Sequence, residues 1–361
     1  MVSMGAMMLS EGDQAESSFV KGIASSYDVS ENSLYPIIPK LLLVIIPIEI
    51  LLYLYFPQIS SSEFYWVIIG ITIPCLAYSV VYWVVYRLVF VTSKPPRDGP
   101  MELAWSSFNF RGWGNEKFEG FFLESKIGNR DLVVYLHGYG SSLARGETRA
   151  GQFNELGMNV ISLDQRGFGT QGRRKDWTVL KAVTDVEGLL DHAPKVLGFK
   201  PKRLWIYGHS LGGFITLRLA SHPSGWWKDS LRGIMLESPV ASMPLLIEKK
   251  LPGRAALATH WVRHILRMEH ERIHPDLGIR YSNAELPYSG IPIVPVLVLQ
   301  SKNDSTLGNH HFLLIKEYIS HISEIHILDM PHTSLVDVDE RRHIVAEWMV
   351  KQSETSQIVE P

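Results

Sequence analysis

The sequence predicts an α/β fold, in which a mostly parallel sheet carries helices on both faces, preceded by two transmembrane helices. Three observations support this prediction. After about residue 104, short apolar strands alternate with amphipathic helical patterns, which is typical of a parallel sheet covered on both sides. The pentapeptide Gly-His-Ser-Leu-Gly at 208–212 joins a predicted strand to a predicted helix. Two long apolar runs, at residues 37–56 and 64–91, precede the sheet.

Composition divides the 361-residue chain into four parts. Residues 1–35 are polar, acidic and Ser-rich, and we predict a disordered tail. Residues 36–93 form the predicted transmembrane hairpin. Residues 94–352 form the α/β domain, with a helical cap inserted at 240–292, and residues 353–361 form a polar C-terminal tail.

The charge balance excludes one class of partner. The formal net charge is −2 and there is no basic run, so we expect no nucleic-acid partner. Cys75 is the single cysteine, which excludes an intrachain disulfide and is typical of a reducing compartment.

The second apolar run is the clearer membrane segment. Residues 64–86 contain no charged side chain, and about 20 helical residues cross a bilayer. Aromatic side chains lie at both ends of the run, as in an interfacial belt: Tyr65, Trp66, Tyr82, Trp83 and Tyr86.

The first apolar run carries Glu49 in its middle, with Pro47 close by. A carboxyl group inside a membrane is costly, and we expect Glu49 to be protonated or hydrogen-bonded to the second helix. A proton or substrate role for Glu49 and an interfacial course for this run are the alternatives.

Basic residues predict the orientation of the hairpin. Residues 57–63 contain no Lys or Arg. Lys21 and Lys40 lie at or before the start of the first run, while Arg87 and Lys94 close the second. By the positive-inside rule, both ends and the α/β domain are cytoplasmic. The hairpin then serves for tethering and substrate access rather than for chemistry, and we expect a chain lacking residues 1–93 to be a soluble, active domain.

The α/β domain opens with a predicted antiparallel hairpin at 104–113 and 117–125, with Gly114 in its turn region. Parallel strands are predicted at 132–136, 159–163, 204–207, 233–236, 294–299 and 325–328, and helices near 142–156, 179–192, 211–221, 309–322 and 340–351. In such sheets ligands bind at the carboxyl ends of the strands. We therefore expect the functional residues in the loops that follow strands.

The most specific motif surrounds Ser210. G-x-S-x-G at a strand-to-helix turn is typical of an activated serine nucleophile. The turn is so tight that Ser210 takes a strained backbone conformation, and Gly208 and Gly212 leave room for it. The helix that follows directs its free N–H groups toward developing negative charge.

Four motifs lie in order along the predicted strands: YLHGYGSS, LDQRGFG, GHSLGG and LESP. Over about residues 104–351 the chain resembles the α/β-hydrolase superfamily. Its motifs look most like those of membrane-anchored monoacylglycerol and lysophospholipid lipases, and serine aminopeptidase-like hydrolases are also similar. The acid loop, KNDST, departs from the pattern because the apolar-Pro pair that often follows the acid is absent.

The resemblance implies a cofactor-independent serine hydrolase. Ser210 is the expected nucleophile, His332 the base and Asp304 the acid that orients it, in the chain order of this family. The backbone N–H groups of Tyr139 and Leu211 are the expected oxyanion hole.

Other polar residues compete for these roles. Glu237 and Asp329 are alternative acids, and His326, within the last strand, is expected to be a packed or surface residue. We expect Asp164 and Arg166 to fix their own loop, with a substrate role for Arg166 as the alternative.

Two histidine pairs, His260 with His264 and His310 with His311, lack a third ligand at convincing spacing. We therefore predict no metal site. The apolar face of a cap helix at 255–270 either closes over an acyl chain or packs onto the domain.

These observations predict a membrane-anchored serine hydrolase that cleaves a carboxylic ester derived from a lipid. Its expected partners are the lipid bilayer and a small acyl ester. A serine peptidase or thioesterase with the same residues is the alternative enzyme, because the fold alone does not decide the substrate. A catalytically silent scaffold is the alternative from another functional class.

Overall fold

A computed structural model describes residues 62–92, 99–222, 224–250, 256–274, 284–333 and 338–359. The predicted N-terminal tail, the first apolar run and Glu49 lie outside the described residues. Parts of the predicted cap, 251–255 and 275–283, also lie outside them.

Within the described residues, eight strands form one sheet in the order β1-β2-β4-β3-β5-β6-β7-β8. The first two strands pair antiparallel, β2 pairs antiparallel with β4, and the remaining neighbours are parallel. The strands are β1 (Ser106–Arg111), β2 (Lys117–Leu123), β3 (Leu132–Leu136), β4 (Asn159–Leu163), β5 (Leu204–His209), β6 (Leu231–Glu237), β7 (Val296–Ser301) and β8 (Ile322–Leu328). The predicted mostly parallel sheet is confirmed.

Helices follow the strands in the predicted alternation. They are α1 (Ser62–Val89), α2 (Leu143–Glu155), α3 (Val179–Leu197), α4 (Leu211–Ala220), α5 (Trp227–Ser230), α6 (Met243–Lys250), α7 (Ala256–Ile273), α8 (His310–Tyr318) and α9 (Asp339–Val359). The sequence patterns predicted neither the short α5 nor α6. α3 continues past Pro194 and ends at Gly198. Gly198 is left-handed, a helix-ending conformation that glycine adopts without steric cost.

Both faces of the central strands β3, β4 and β5 are buried, which explains why these strands are largely apolar. Along β3, Leu132, Val134 and Leu136 belong to the cluster that packs with α3 and α4. The alternate residues, Val133 and Tyr135, belong to the cluster that packs with α2 and α9. Successive strand residues point to opposite faces, so a strand between two helical layers needs apolar residues throughout.

Among the described residues, α1 is the helix that is long and apolar enough to span a membrane, with its candidate segment at Thr72–Val89. The second predicted membrane helix is therefore present as a helix, and the first lies outside the described residues. Several side chains of α1 are apolar and exposed, including Ile73, Val80 and Trp83.

The other side of α1 packs against the cap. Tyr82 and Val85 share a buried cluster with Val262, Ile265 and Leu266 of α7. Of the two expectations for the apolar face of this helix, packing is what the structure displays, with α1 as the partner.

Polar contacts reinforce this packing. The hydroxyl of Tyr82 donates to a carboxylate oxygen of Glu269 at 2.5 Å, and that of Tyr86 donates to the carbonyl of Lys175 at 2.7 Å. Neither hydroxyl therefore points to an open membrane interface, which differs from the belt that the sequence suggested for these two tyrosines.

Backbone hydrogen bonds attach the segment just after α1 to the α/β domain. Phe90 accepts a backbone hydrogen bond from Trp177 at 2.9 Å, and Thr92 donates to Arg174 at 3.0 Å. The sequence predicted a division between the hairpin and the domain, but α1 packs against the domain. Its apolar residues share a buried cluster with the cap helix α7.

We expect truncation to show this dependence, contrary to the independence that the sequence suggested. A chain starting at residue 94 leaves Val262, Ile265 and Leu266 uncovered, and each buried side chain of this size contributes about 1.5–3 kcal/mol. Compared in one detergent with a chain starting at residue 62, it is expected to melt at least about 5 °C lower and to aggregate. Equal melting temperatures and a monodisperse elution profile for both would contradict this expectation.

Candidate active site

The turn between β5 and α4 places Ser210 above the sheet. Ser210 has φ 52° and ψ −113°, an unusual conformation for a residue with a side chain. A Cβ on Gly208 would lie 2.4 Å from the carbonyl oxygen of Gly212, and a Cβ on Gly212 would lie 2.1 Å from that of Leu136. The predicted reason for both glycines, lack of space, therefore holds.

The structure brings together the three residues that the sequence singled out for proton transfer. His332 Nε2 lies 2.9 Å from Ser210 Oγ, and His332 Nδ1 lies 2.7 Å from Asp304 Oδ2. All three residues are less than a tenth exposed. They come from loops after three different strands, β5, β7 and β8, at the carboxyl edge of the sheet.

The environment of Asp304 favours its charged form. Its Oδ1 accepts the backbone N–H groups of Thr306 at 3.0 Å and Leu307 at 2.7 Å. Burial raises the pKa of Asp304, but the hydrogen bond from His332 and those from the backbone outweigh it, so the pKa lies below its usual value. A carboxylate here accepts the Nδ1–H of His332, which leaves Nε2 free to accept the serine proton.

His209 supports the loop that carries His332. Its Nε2 donates to the backbone carbonyl of His332 at 2.8 Å. Burial lowers the pKa of His209 to about 4, so the ring is neutral at pH 7. The residue before the serine thus fixes the backbone of the histidine without adding charge to the site.

The expected oxyanion loop lies against the serine. A Cβ on Gly138 would lie 3.1 Å from the Cβ of Ser210, so the following residue, Tyr139, begins at the site. Leu211 is the first residue of α4, and the first N–H groups of a helix have no acceptor within it. The ring of Tyr139 packs edge-on against Phe168 and Trp177, with centroids 4.7 and 5.4 Å apart.

Glu237, the competing acid, has different partners. Its carboxylate accepts from Arg149 Nε at 2.9 Å and Nη2 at 2.8 Å, and from the hydroxyl of Tyr207. Arg341 Nη1 lies 3.9 Å away. Burial raises the pKa of Glu237, but the charge of Arg149 and its hydrogen bonds hold the pKa well below the usual value. Glu237 is therefore part of a buried ion pair beneath the site.

The other candidates lie apart from Ser210. Asp329 is exposed, and His326 contacts Glu324 at 3.2 Å on the surface side of β8. Asp164 accepts the backbone N–H groups of Leu143 and Thr170.

Arg166 is fully buried and makes two hydrogen bonds of 2.8 Å to Asp185. Its second ion pair, with Glu116, is 2.9 Å long. These contacts fix the loop after β4.

Within the part of the chain that the structure describes, neither histidine pair belongs to a group of three or more potential metal ligands. His260 and His264 are both exposed on α7. His311 is buried, and its Nδ1 accepts the backbone N–H groups of Ala241 and Ser242 at 3.1 and 3.3 Å. It thus positions the start of the cap.

Sequence reasoning missed the supporting residues Arg149, Tyr207, Arg341 and His209. A single pattern signals them weakly. An arginine on the buried face of a helix that covers a sheet needs a buried acid, and Glu237 ends a strand. Which arginine reaches which acid depends on helix orientation, which the pattern does not contain.

We expect Arg149→Met to lower the free energy of unfolding by about 3–5 kcal/mol, because it leaves the Glu237 charge poorly compensated in the interior. The exposed Arg145 on the same helix is the control, and Arg145→Met is expected to change stability by less than about 0.5 kcal/mol. Denaturant unfolding at pH 7 measures both.

The pH dependence has a definite sign. The pKa of Glu237 is lower in the folded chain than its usual 4.5, so its contribution is complete above pH 4.5 and is lost as the pH falls toward the folded value. The difference between wild type and Arg149→Met is therefore expected to shrink below pH 4.5. A difference that stays constant or grows on acidification would show that the ion pair is not its source.

The chain is similar in sequence to known proteins. Residues 128–288 match the model of the serine aminopeptidase (S33) family. The uncharacterized protein YfhR of Salmonella typhi is 23% identical over 220 residues, which cover 58% of this chain and 68% of that protein. A putative monoglyceride lipase of Schizosaccharomyces pombe is 28% identical over 116 residues, covering 30% and 29% of the two chains.

Solved structures are similar in fold. The esterase Pf2001 of Pyrococcus furiosus superposes with a TM-score of 0.52 at 19% identity, over 72% of this chain and 99% of that one. An α/β-hydrolase of Vibrio vulnificus superposes with a TM-score of 0.51 at 18% identity, over 69% and 81%. Taken with the strand order and the Ser210 turn, these likenesses show that the chain is a member of the α/β-hydrolase superfamily.

Proposed function

We propose that the protein is a serine hydrolase that cleaves a carboxylic ester through an acyl-enzyme intermediate on Ser210. The observation that carries the proposal is the continuous hydrogen-bond chain from Asp304 through His332 to Ser210, with contacts of 2.7 and 2.9 Å. A serine hydroxyl with a buried base and an orienting acid is an activated nucleophile.

In the first half-reaction, Ser210 Oγ attacks the ester carbonyl while its proton passes to His332 Nε2. The carbonyl oxygen becomes an oxyanion, which the backbone N–H groups of Tyr139 and Leu211 stabilise. Collapse of this intermediate breaks the bond to the alcohol, which takes the proton from His332. Asp304 stabilises the imidazolium throughout.

In the second half-reaction, His332 takes a proton from water as the water oxygen attacks the acyl carbon. The bond to Ser210 Oγ breaks, the proton returns to the serine, and the carboxylic acid leaves. Each step moves only protons and acyl groups, so the mechanism uses no cofactor.

A peptidase is the second candidate, because residues 128–288 match the serine aminopeptidase family. A small pocket next to Tyr139 favours the ester instead. It is lined by apolar and aromatic side chains, and no carboxylate of the described residues is among them. An aminopeptidase needs an anionic group for the substrate's terminal amine. A thioesterase uses the same residues, and a comparison of matched ester and thioester substrates distinguishes the two.

Substitution of the three residues tests the mechanism. Ser210→Ala is expected to lower turnover of a p-nitrophenyl ester about 10⁶-fold and to abolish fluorophosphonate labelling. Asp304→Asn is expected to lower turnover about 10⁴-fold, because His332 loses its correct tautomer. Asp329→Asn and His326→Ala are the matched controls and are expected to retain wild-type turnover. Near wild-type hydrolysis by Ser210→Ala would refute the proposal. Absence of both hydrolysis and labelling in the wild-type protein would leave a silent scaffold as the explanation.

We also propose that α1 belongs to a membrane hairpin that holds this domain on the cytoplasmic side. The apolar, charge-free stretch of α1 and the basic residues near its end support the proposal. In a Cys75→Ser background, Ser61→Cys is expected to react with an impermeant maleimide on intact cells, and Ser353→Cys only after permeabilisation. For an internal membrane, sealed vesicles of known orientation replace cells. The reverse labelling pattern would place the domain on the opposite side.

A further inference from the structure

We infer that the last turns of α1 form one wall of the acyl-binding pocket, so that the helix contributes directly to substrate binding. The substrate class is a lipid ester whose apolar chain extends from Ser210 toward the bilayer along α1. This inference rests on the proposed esterase function and adds to it the location of the chain.

The pocket lies between α1 and the cap. Val85, Leu88 and Val89 line it from α1, and Leu246 with two apolar neighbours lines it from α6. Tyr139 forms the side nearest the serine. The pocket has a volume of about 30 Å³, whereas a water-sized group needs about 10–15 Å³. It thus accommodates the first few carbon atoms of a chain.

The pocket is connected to the reacting centre through one loop. Gly138 lies against Ser210, so closely that a Cβ on this glycine would be 3.1 Å from the serine Cβ. Tyr139, the next residue, lines the pocket and supplies an expected oxyanion N–H. The same residue, Tyr139, thus supplies the N–H to the acyl carbonyl oxygen and lines the pocket. An acyl chain therefore begins next to the pocket when its carbonyl oxygen accepts that N–H.

We place the opening of the pocket at Leu88, on the exposed apolar side of α1. Leu88 lines the pocket and is still 53% exposed, while Val80 and Trp83 are 56% and 61% exposed on the same helix. A chain too long for the pocket therefore passes Leu88 and continues along an apolar surface. An exposed apolar surface on a membrane helix is suited to lipid rather than water.

The length of α1 places this opening near the membrane surface. Its 28 residues extend about 42 Å at 1.5 Å per residue, and the hydrocarbon core takes about 20 of them. Val85, Leu88 and Val89 lie in the last turns of the candidate segment Thr72–Val89, at the end that reaches one membrane surface. Arg87, exposed among them, suits the polar side of this boundary.

Polar contacts keep this wall in position. The hydroxyl of Tyr82 donates a hydrogen bond to Glu269 of α7, and that of Tyr86 donates one to the carbonyl of Lys175. α1 is therefore attached both to the cap and to the α/β domain. A helix that served only as an anchor has no need of a defined rotation relative to the site. Here the rotation is set, and it directs Val85 and Val89 inward.

A photoreactive probe tests the inference on the full-length protein in vesicles of phosphatidylcholine. The probe is an alkyl fluorophosphonate with a long chain and a diazirine at its far end. Ser210 Oγ bonds to phosphorus and fluoride leaves, which anchors the chain at the serine. After illumination, mass spectrometry of the peptides locates the crosslink. We expect crosslinks within residues 78–89 of α1. A phosphonate adduct on Ser210 whose crosslinks all lie elsewhere would overturn the inference and leave the esterase proposal standing. Absence of any adduct would overturn both.

A substitution at the opening gives an independent readout. Leu88→Trp is expected to lower the ratio of kcat/KM for a dodecanoate ester to that for an acetate ester by roughly tenfold or more, because the larger ring narrows the path of the long chain. Leu313→Trp is the control, since Leu313 is similarly exposed on α8 and does not line the pocket. An equal chain-length preference in wild type and both variants would overturn the inference.

Discussion

The geometry of the candidate site depends on the buried carboxylate of Glu237. This group at the end of β6 joins three elements, through Arg149 of α2, Tyr207 of β5 and Arg341 of α9. Its backbone carbonyl also accepts the N–H of Ser210 at 2.9 Å. An isolated charge in the interior is unfavourable by several kcal/mol, so these partners stay together in the folded chain. The tight turn at the nucleophile is therefore attached to helices on the opposite side of the sheet.

Much of this arrangement could be predicted from the sequence. The strands β3 and β4 have the predicted bounds, because an unbroken apolar run between turn residues is a strong signal. The turn at Ser210 was predictable for a steric reason, since the flanking glycines have no space for a side chain. The contacts of Asp304 and His332 agree with the expected geometry, and their catalytic roles stay predictions. The buried ion pairs were not predictable, since they depend on the orientation of helices relative to one another.

The relation of α1 to the cap was not predictable either. A helix that is apolar on all sides has no single apolar face that would indicate where a protein partner packs. Lipid and protein can both surround such a helix. The position of Tyr82 in the sequence is typical of an interfacial belt, but its hydroxyl donates a hydrogen bond to Glu269. The partner residues on α7 lie about 180 positions further along the chain, a separation over which local periodicity contains no information. Consequently the sequence separated a tether from a domain where the structure has continuous packing.

Backbone hydrogen bonds join Phe90 and Thr92 to the segment 174–177. The helix is therefore attached to the α/β domain directly rather than through a flexible linker. A domain on a loose linker samples the solution around it, whereas a domain attached in this way keeps one orientation relative to the helix. In the proposed membrane setting, its encounters with a lipid ester take place within the plane of the bilayer. The rate would then follow the mole fraction of substrate among the surrounding lipids rather than its concentration in the bulk volume. Diluting the membrane with inert lipid would slow such an enzyme, while diluting the vesicles with buffer would not.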